Sequence, residues 1–458
     1  MKKEKHFHLI GIGGISMSGI AEMLLKKGYH VSGSDIRDSQ ILKGLRSIGA
    51  KIHIGHCSAN STNADLVIYS SAIKSNNPEI KFARKQGIPV IKRAQMLAKL
   101  MKDKDGIAVA GTHGKTTTTS MIATLLIEGG IDPSILIGGN LDIIEGNSYL
   151  GRGKYFLTEA DESDGSFLFY NPKVVTVTNI EMDHHDYYGT RDNLIETFRK
   201  FIYSIPENGT AILCVDDDNI MEIIKPENNR FLTYGIKKGI LRADDCKVMP
   251  FGSYYNLIYK DKLLGEIKLQ VPGQYNILNS LAAVGVGLYT GMEFKDIKRG
   301  LEKYRGVKRR FEKKGMVDNI LVIDDYAHHP TEIRATLKAA RNTGFNRIIG
   351  IFQPHRYSRT KFMMEDFSRS FTLVDHLIIT DIYAAGEKPI KGVSSDKLAG
   401  KISKTGIKVE YIPEQEGAVK YLHNIVKPQD LIITIGAGDV YRIGELFLKE
   451  MKKLKEMA

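Results

Sequence analysis

The chain has 458 residues, more than the roughly 250–300 at which single hydrophobic cores usually stop growing, so several domains are expected. Hydrophobic residues make up 42% and charged residues 26% of the chain, a balance that excludes a mostly disordered protein, and no apolar stretch reaches the ~18 residues of a membrane span. The net charge of +12 is typical of some nucleic-acid binders, but the sequence has no helix-turn-helix or RNP motif and no arginine-rich tail, so we expect no nucleic-acid partner.

The first residues, Met1–His6, run directly into a short apolar strand. They lack the continuous apolar segment and the cleavage site of a secretory signal. The three cysteines, Cys57, Cys214 and Cys246, are far apart and form no CxxC pair, which argues against a disulfide framework or a structural zinc site. We therefore expect a cytoplasmic protein without membrane insertion.

Short apolar strands alternate with polar or amphipathic helices in the first hundred residues. Strands are predicted at 8–10, 29–33, 66–69 and 89–91, and a helix at 18–27. This alternation indicates βαβ units and a parallel, Rossmann-like sheet. The charged stretch 101–106 then reads as a linker.

The first glycine motif is Gly11-Ile12-Gly13-Gly14-Ile15-Ser16, which follows the first strand. It is similar to the dinucleotide fingerprint GxGxxG, with serine in the third glycine position, and Asp35 ends the second strand where a ribose-binding acid would lie. The motif indicates a helix N-terminus that can take a pyrophosphate. NAD, FAD and UDP-sugars all fit that description.

A second α/β block opens with the strand 107–110, followed by Gly111-Thr112-His113-Gly114-Lys115-Thr116-Thr117 and a helical run at 118–126. Glycines allow backbone N–H groups to point at phosphate oxygens, Lys115 would reach the terminal phosphates, and the Thr116 hydroxyl would ligate Mg²⁺. The usual loop is GxxxxGK[ST], and here Val109 occupies the place of the first glycine. The alternative is an ordinary glycine-rich turn.

Two polar clusters follow strands of the same block. Glu159–Asp164 carries four carboxylates after the strand 155–157, and Asn179–Asp186 follows the strand 174–178. Both are expected at the sheet edge where open α/β sheets bind ligands, so a carboxylate and an imidazole could hold a divalent ion there. Taken alone, each cluster is equally consistent with a solvated loop.

A β-excursion at 254–268 and a helix at 277–289 end the second block, and a third α/β block begins near Lys313. Its strands are predicted at 320–323, 347–352, 376–380 and 431–435. The sequence thus predicts an α/β protein of three domains: a Rossmann-like domain at 1–102, a central phosphate-loop domain with a mostly parallel sheet at 103–312, and a Rossmann-like domain at 313–458.

The third block contains two polar motifs, Asp324–Pro330 and Gln353–Arg359. Arg356 and Arg359 are three residues apart, so we expect them on one face of a helical turn, where they could clamp a carboxylate or a phosphate. Capping acids and a solvated face are the alternatives. The later turn Gly436–Asp439 reads as structural.

These motifs together resemble the Mur ligase family over essentially the whole chain. The resemblance is carried in order by Gly11–Gly14, Gly111–Thr116, Glu159–Asp164, Asn179–His184, Pro272–Asn276, Arg309–Phe311 and Asp325–Pro330. The shortened phosphate loop is the usual form in that family. The resemblance implies a three-domain enzyme of peptidoglycan synthesis that uses ATP and Mg²⁺.

The resemblance also implies roles for individual residues. ATP contacts are implied for Gly111, Thr112, His113, Gly114, Lys115, Thr116, Thr117, Asn276, Arg310 and Asp325. Contacts with the other substrates are implied for Gly11, Gly13, Gly14, Asp35, Ser71, Tyr326 and His328. Magnesium ligands are implied at Thr116, Glu159 and His184, with Glu162 as the alternative carboxylate, and catalytic roles at Lys115, His184, Arg356 and Arg359.

The reaction that the resemblance implies joins L-alanine to the lactyl carboxylate of UDP-N-acetylmuramate through an acyl phosphate. UDP-N-acetylmuramate, L-alanine and ATP are then the small-molecule partners, and the protein would be a monomer or a homodimer. Some relatives use a carbamylated lysine, and Lys200 is not assigned that role here. The sequence leaves open whether Lys308–Arg310 contacts ATP or only forms a hinge.

Three other interpretations remain. A recycling ligase of the same family would attach a ready-made peptide to UDP-N-acetylmuramate, although its first turn usually departs from Gly-Ile-Gly-Gly. A nicotinamide-dependent dehydrogenase would explain Gly11–Gly14 and Asp35 but not the phosphate loop. A nucleic-acid-dependent ATPase would explain Lys115 and the basic stretch 295–314.

Overall fold

The computed structural model describes residues 5–225 and 228–457. Residues 1–4, on which the argument against a secretory signal partly depends, lie outside this range. The chain forms two compact units, one of Met1–Ala243, Leu257–Gly265 and Leu278–Leu301, and one of Asp244–Asn256, Glu266–Ile277 and Glu302–Ala458. In the described part of the chain, no helix is both long and apolar enough to cross a membrane.

The N-terminal sheet has five parallel strands in the order β3-β2-β1-β4-β5. Its strands are β1 (His6–Ile10), β2 (His30–Asp35), β3 (Lys51–Ile54), β4 (Leu66–Tyr69) and β5 (Val90–Lys92). Its helices are α1 (Ile15–Lys26), α2 (Gln40–Ser47), α3 (Pro78–Lys85) and α4 (Arg93–Met101). The order 3-2-1-4-5 is that of a Rossmann-like sheet, which confirms the prediction and places a ligand crevice at the carboxyl ends of β1 and β4.

The second sheet has ten strands in the order β15-β14-β13-β12-β11-β10-β6-β9-β7-β8. Its strands are β6 (Asp105–Ala110), β7 (Ser134–Leu141), β8 (Gly146–Tyr149), β9 (Tyr155–Glu159), β10 (Val174–Val177), β11 (Thr210–Cys214), β12 (Phe231–Gly235), β13 (Leu241–Met249), β14 (Gly252–Tyr259) and β15 (Lys262–Leu269). Its helices are α5 (Lys115–Glu128), α6 (His185–Tyr188), α7 (Arg191–Tyr203), α8 (Asp218–Ile223), α9 (Gln274–Tyr289) and α10 (Phe294–Lys303). Strand β6 is parallel to both neighbours, and its residues Ile107–Ala110 are fully buried, as expected for a strand covered on both faces.

The third sheet has six strands in the order β16-β17-β21-β18-β19-β20, parallel except for β16. Its strands are β16 (Glu312–Val317), β17 (Ile320–Asp325), β18 (Arg347–Phe352), β19 (His376–Ile379), β20 (Lys408–Tyr411) and β21 (Asp430–Ile435). Its helices are α11 (Pro330–Arg341), α12 (Tyr357–Phe362), α13 (Met364–Ser368), α14 (Ser395–Ser403), α15 (Gln415–Ile425) and α16 (Tyr441–Met457). Apolar cores cover both faces of this sheet, which confirms the predicted α/β class with three sheets.

Three of the differences between the structure and the predicted elements concern a strand, a linker and a pair of arginines. The β-excursion begins at Leu241, because β13 contains acidic residues of low strand propensity and Asp245 with a left-handed φ of +46°, which hide a strand from sequence inspection. The linker is shorter than predicted, since β6 already begins at Asp105. Arg356 is the N-cap of α12, with a φ of +71°, so of the two arginines only Arg359 lies within the helix.

Candidate active site

The phosphate loop, residues 111–117, joins the buried strand β6 to α5. Gly111 and Gly114 have left-handed φ values of +129° and +82°, which glycine adopts without steric cost. Gly114 caps α5 without a side-chain hydrogen bond, so the first amide groups of the helix have no capping acceptor. These amides and the helix dipole favour an anion at this position.

The segment that follows β10 supports the phosphate loop. Thr178 Oγ1 donates to the carbonyl of His113 at 2.6 Å, and the N–H of His113 donates to Asn179 Oδ1 at 2.9 Å. Thr112 Oγ1 donates to the carbonyl of Glu181 at 2.9 Å and accepts from its N–H at 2.8 Å. The N–H of His113 is thus already paired within the protein, and its contact with ATP stays a prediction.

We expect Gly111→Ala to weaken ATP binding at least about tenfold, which corresponds to ~1.4 kcal/mol. A Cβ at Gly111 would lie 2.1 Å from Thr178 Oγ1 and 3.0 Å from the carbonyl oxygen of Asn179, so the loop or its support must move. Gly130→Ala is the control, because Gly130 also has a left-handed φ of +73° but nothing lies within 4 Å of the added methyl group. Calorimetric titration with ATP checks this prediction, and equal weakening in both variants would contradict it.

Lys115 lies inside the loop. Its Nζ donates to the carbonyls of Gly111 at 2.6 Å and Thr112 at 3.1 Å, and it pairs with the carboxylate of Glu162 at 2.9 Å. Burial by itself lowers the pKa of Lys115, but the carboxylates of Glu162 and Asp161 outweigh burial and raise it above its ordinary value. Lys115 is therefore a permanent cation at the loop that faces the predicted phosphates.

Thr116 and Glu159 form an oxygen-rich pair beside Lys115. Thr116 Oγ1 donates to Glu159 Oε2 at 3.1 Å, and Glu159 Oε1 accepts from the N–H of Gly138 at 2.7 Å. A hydroxyl and a carboxylate are donors that Mg²⁺ prefers, so the two residues fit the predicted metal. His184 has a left-handed φ of +52°, and its Nε2 lies 3.7 Å from Asp183 Oδ2; its role as a ligand stays a prediction.

Two further carboxylates of the acidic loop, those of Asp161 and Glu162, have cationic partners. Asp161 pairs with Arg93 of α4 at 3.3 Å, and Glu162 pairs with Lys115. Burial raises the pKa of Asp161, but Arg93 and Lys115 outweigh burial and hold it below its ordinary value. Because Glu162 holds Lys115 while Glu159 lies against Thr116, the geometry favours Glu159 over Glu162 as the metal ligand.

Asn276, which is predicted to contact ATP, and its neighbour Asn279 are both buried. Asn276 donates from Nδ2 to the carbonyl of Pro272 at 2.7 Å. A Cβ added at Gly114 would lie 2.6 Å from Asn279 Oδ1, so Asn279 lies directly against the phosphate loop. The contact of Asn276 with ATP stays a prediction. Thr117, which is also predicted to contact ATP, is buried in the first turn of α5.

The amide groups of the glycine turn after β1 donate hydrogen bonds to other groups of the protein. The N–H groups of Gly11 and Ile12 donate to the carbonyl of Ser34 at 2.8 and 3.1 Å, and that of Gly14 donates to the carbonyl of Gly11 at 3.2 Å. The N–H of Gly13 donates to Asp35 Oδ2 at 2.9 Å. Asp35 thus closes the turn in this structure. Its ribose contact and the substrate contact of the exposed Ser71 stay predictions. The amides that α1 leaves without intrahelical acceptors are those of residues 15–17, of which the first two belong to the predicted motif.

In the C-terminal domain, Asp325 ends β17 and is almost fully buried. Its carboxylate accepts from the N–H of Ala327 at 2.8 Å and of Phe311 at 2.7 Å. Burial raises the pKa of Asp325 to about 6, and the guanidinium of Arg310 acts in the opposite direction. Arg310 also lies over the ring of Tyr326, 5.1 Å from its centroid.

Arg309 has a structural position. Its Nε donates to Asp324 at 3.0 Å, and its two Nη atoms donate to the carbonyls of Gly438 at 2.9 Å and Gly436 at 2.7 Å. The guanidinium also stacks on Tyr326 and Tyr441. This arginine therefore connects the start of the C-terminal domain to the turn after β21. Of the two neighbouring arginines, Arg310 is the one with a predicted contact with ATP.

An aromatic row lies beside the two predicted arginines. The ring of His355 stacks on Tyr383 with centroids 5.5 Å apart, and it lies 5.9 Å from the ring of His328. Arg359 is buried and its Nη1 lies 3.2 Å from His355 Nδ1, while the N–H of Arg356 donates to the carbonyl of Tyr383 at 2.8 Å. Sequence analysis did not single out Tyr383, because it lies in a loop without any motif.

The fold and the phosphate loop define an α/β nucleotide-binding protein. Models of the Mur ligase family match residues 6–105 (Mur ligase family, catalytic domain), 109–287 (Mur ligase middle domain) and 309–438 (Mur ligase, glutamate ligase domain). The chain belongs to the Mur ligase family.

Relatives refine this picture. The chain is 49% identical over 452 residues to a UDP-N-acetylmuramate–L-alanine ligase of Geotalea uraniireducens, covering 98% of this chain and 99% of the relative. It is 50% identical over 449 residues to the ligase of that name of Trichlorobacter lovleyi, covering 97% and 98%. Among solved structures, the UDP-N-acetylmuramate-alanine ligase of Thermotoga maritima matches with a TM-score of 0.84 and 29% identity, covering 98% and 99%. A murein peptide ligase of Psychrobacter arcticus matches with a TM-score of 0.72 and 25% identity, covering 98% of each chain.

Proposed function

We propose that this protein ligates L-alanine to the lactyl carboxylate of UDP-N-acetylmuramate at the expense of ATP, giving UDP-N-acetylmuramoyl-L-alanine, ADP and phosphate. The observation that carries the proposal is the full-length identity of 49% to a relative that bears the name of this ligase. The reaction belongs to peptidoglycan synthesis in the cytoplasm, and we expect a monomer or a homodimer.

The chemistry follows from the charges at the phosphate loop. A carboxylate is a poor acyl donor, so its oxygen first attacks the γ-phosphorus of ATP, and the bond to the β-phosphate oxygen breaks to release ADP. Lys115, a permanent cation, stabilises the negative charge on the transferring phosphoryl group. The amine of L-alanine then attacks the acyl phosphate carbonyl, loses a proton, and expels inorganic phosphate.

Thr116, Glu159 and His184 are the residues we propose to hold magnesium. The bound ion supplies charge neutralisation and orients the phosphates. In the C-terminal domain, Arg356 or Arg359 would hold the carboxylate of the amino acid or stabilise an oxyanion, beside Tyr326 and His328. The proposed domains remain 1–102 for the UDP-sugar, 103–312 for ATP and 313–458 for the amino acid.

Phosphate release from MgATP tests the proposal. We expect release that requires both UDP-N-acetylmuramate and L-alanine, together with an alanine-extended product detected by mass spectrometry. Release that requires the UDP-sugar but responds to a tripeptide instead of alanine would favour the recycling ligase. Release that depends on neither substrate would contradict the proposal.

Asp325 predicts a pH dependence of ATP use. If its carboxylate accepts a hydrogen bond from the ribose, as family resemblance implies, its ionised form is needed, and that form is lost as the pH falls through about 6. We therefore expect the KM for ATP to rise below about pH 6 in the wild type. The variant Asp325→Asn should have a raised KM at neutral pH and lack this acidic rise; a profile identical to that of the wild type would contradict the assignment.

A further inference from the structure

A buried polar network lies under the N-terminal glycine turn. The register of β1 and β2 pairs His6 with His30, His8 with Ser32 and Ile10 with Ser34. Because paired residues of a parallel sheet share a face, His8, Ser32 and Ser34 lie on one face. The same face receives Glu79 from the first turn of α3, and both His8 and Glu79 are completely buried.

Glu79 collects donors from four parts of the domain. Its carboxylate contacts His8 Nε2 at 2.6 Å, Ser34 Oγ at 2.9 Å, His56 Nδ1 at 2.9 Å and Asn60 Nδ2 at 3.4 Å. These partners come from β1, β2, the segment after β3 and the short helical turn at Ser58–Ser61. A buried carboxylate that accepts so many hydrogen bonds fixes the relative positions of these elements.

Ser34 connects the network to the glycine turn. Its hydroxyl donates to Glu79, while its carbonyl accepts the N–H groups of Gly11 and Ile12. The next residue, Asp35, accepts the N–H of Gly13. The end of β2 thus carries the turn from which α1 starts, and the side chain of Ser34 ties that end to Glu79. The hydroxyl of Ser32, two residues earlier, has only His6 at 2.8 Å and His8 at 2.7 Å as partners among the described side-chain hydrogen bonds, and neither belongs to the turn.

We infer that Glu79, acting through Ser34, is a positioning residue for the UDP-sugar site. It sets the direction in which the turn presents the N-terminus of α1 to the diphosphate. This inference rests on the proposed function, because it takes the turn at Gly11–Gly14 as the place where the UDP-sugar binds. The side chains of the network do not contact the UDP-sugar. They hold in place the backbone of the turn that binds it.

Ser34→Ala and Ser32→Ala form a matched pair that tests the inference. Both serines are buried on the same strand face and each has two hydrogen-bonding partners, so both substitutions should lower thermal stability by similar amounts. We expect only Ser34→Ala to raise the KM for UDP-N-acetylmuramate, by roughly three- to tenfold for one lost hydrogen bond, with the KM for ATP and kcat unchanged. Calorimetric titration with the UDP-sugar should show the same selective change.

The outcomes separate the inference from the function on which it rests. Equal effects of both variants on the KM for the UDP-sugar, or no effect of Ser34→Ala, would overturn the positioning role. Failure of the wild type to bind the UDP-sugar would instead contradict the proposed function. Should Ser34→Ala not fold, His56→Ala is the second variant, because this ring is 18% exposed and contacts both Glu79 and Ser34; we expect the same selective rise in KM.

Discussion

Replacement of Lys115 by methionine is expected to lower kcat by about 10²–10³-fold, the usual effect of removing a group that stabilises charge in a transition state. The Nζ of Lys115 lies within the loop that caps α5, and the surrounding carboxylates keep it protonated. Methionine keeps the length of the side chain but brings no charge to the phosphoryl group. Phosphate release under saturating substrates measures the loss.

Two further variants separate catalysis from folding. Lys115→Met leaves the buried Glu162 without its cation, so the double variant Lys115→Met, Glu162→Gln should regain stability but not activity. Lys104→Met is a matched control, because Lys104 also donates to two backbone carbonyls of the same domain, those of Gly151 and Gly153. Loss of kcat in the Lys104 variant as large as that in the Lys115 variant would contradict the assigned role.

Replacement of Glu79 by alanine is expected to lower the free energy of unfolding by about 2–5 kcal/mol, because it leaves the buried donors of His8 and Ser34 without their acceptor, at a cost of about 1–3 kcal/mol each. His8 is completely buried and donates to Glu79 at 2.6 Å, so the variant leaves its ring without an acceptor. Glu79→Gln keeps an acceptor for His8 and Ser34 and should cost less. Urea unfolding measures both, and a loss below about 1 kcal/mol for Glu79→Ala would contradict this expectation.

The same carboxylate predicts part of the acid sensitivity of the fold. Burial raises the pKa of Glu79, but hydrogen bonds from His8 and His56 outweigh burial and hold it below the ordinary value of 4.5. Since the folded pKa is lowered, the stability that Glu79 contributes is complete above about pH 4.5 and is lost as the pH falls through the folded value. Glu79→Gln should remove this part of the loss of stability in acid.

Asp325 has the opposite effect on the pH dependence of stability. Because its pKa is raised in the folded state, the stability that it contributes is lost as the pH rises through about 6.

Much of the fold could be predicted because apolar strands in α/β proteins are continuous and short. The strand at Leu66–Tyr69 agrees with the prediction residue for residue, and a helix follows each of the two glycine-rich turns, although α1 begins at Ile15 rather than at residue 18. Helix α5 begins three residues earlier than predicted, because Gly114 rather than a polar side chain caps it. A short helix such as Gln40–Ser47 was not predicted, because its 8 residues are fewer than the roughly 11–18 over which a helical period is recognised.

The candidate site was predictable only where the chemistry is local in sequence. The phosphate loop and the acidic cluster are each contiguous in sequence and were recognised as motifs. Which carboxylate contacts which residue of the loop, Glu159 with Thr116 and Glu162 with Lys115, is visible only in the tertiary structure. The position of Glu79 could not be foreseen, because its partners come from segments up to 71 residues away in the chain. Alternating polar residues in β1 and β2 were the available signal, and they read equally well as a solvated face.

The central strand β6 bears on how the phosphate loop behaves between turnovers. A strand that is paired on both sides and fully buried opens only in the rarest, near-global fluctuations of a protein. The loop begins at the end of this strand and is tied to the segment after its neighbour β10. Nucleotide therefore meets a loop that is already ordered, and little of its binding energy is spent on reducing conformational entropy.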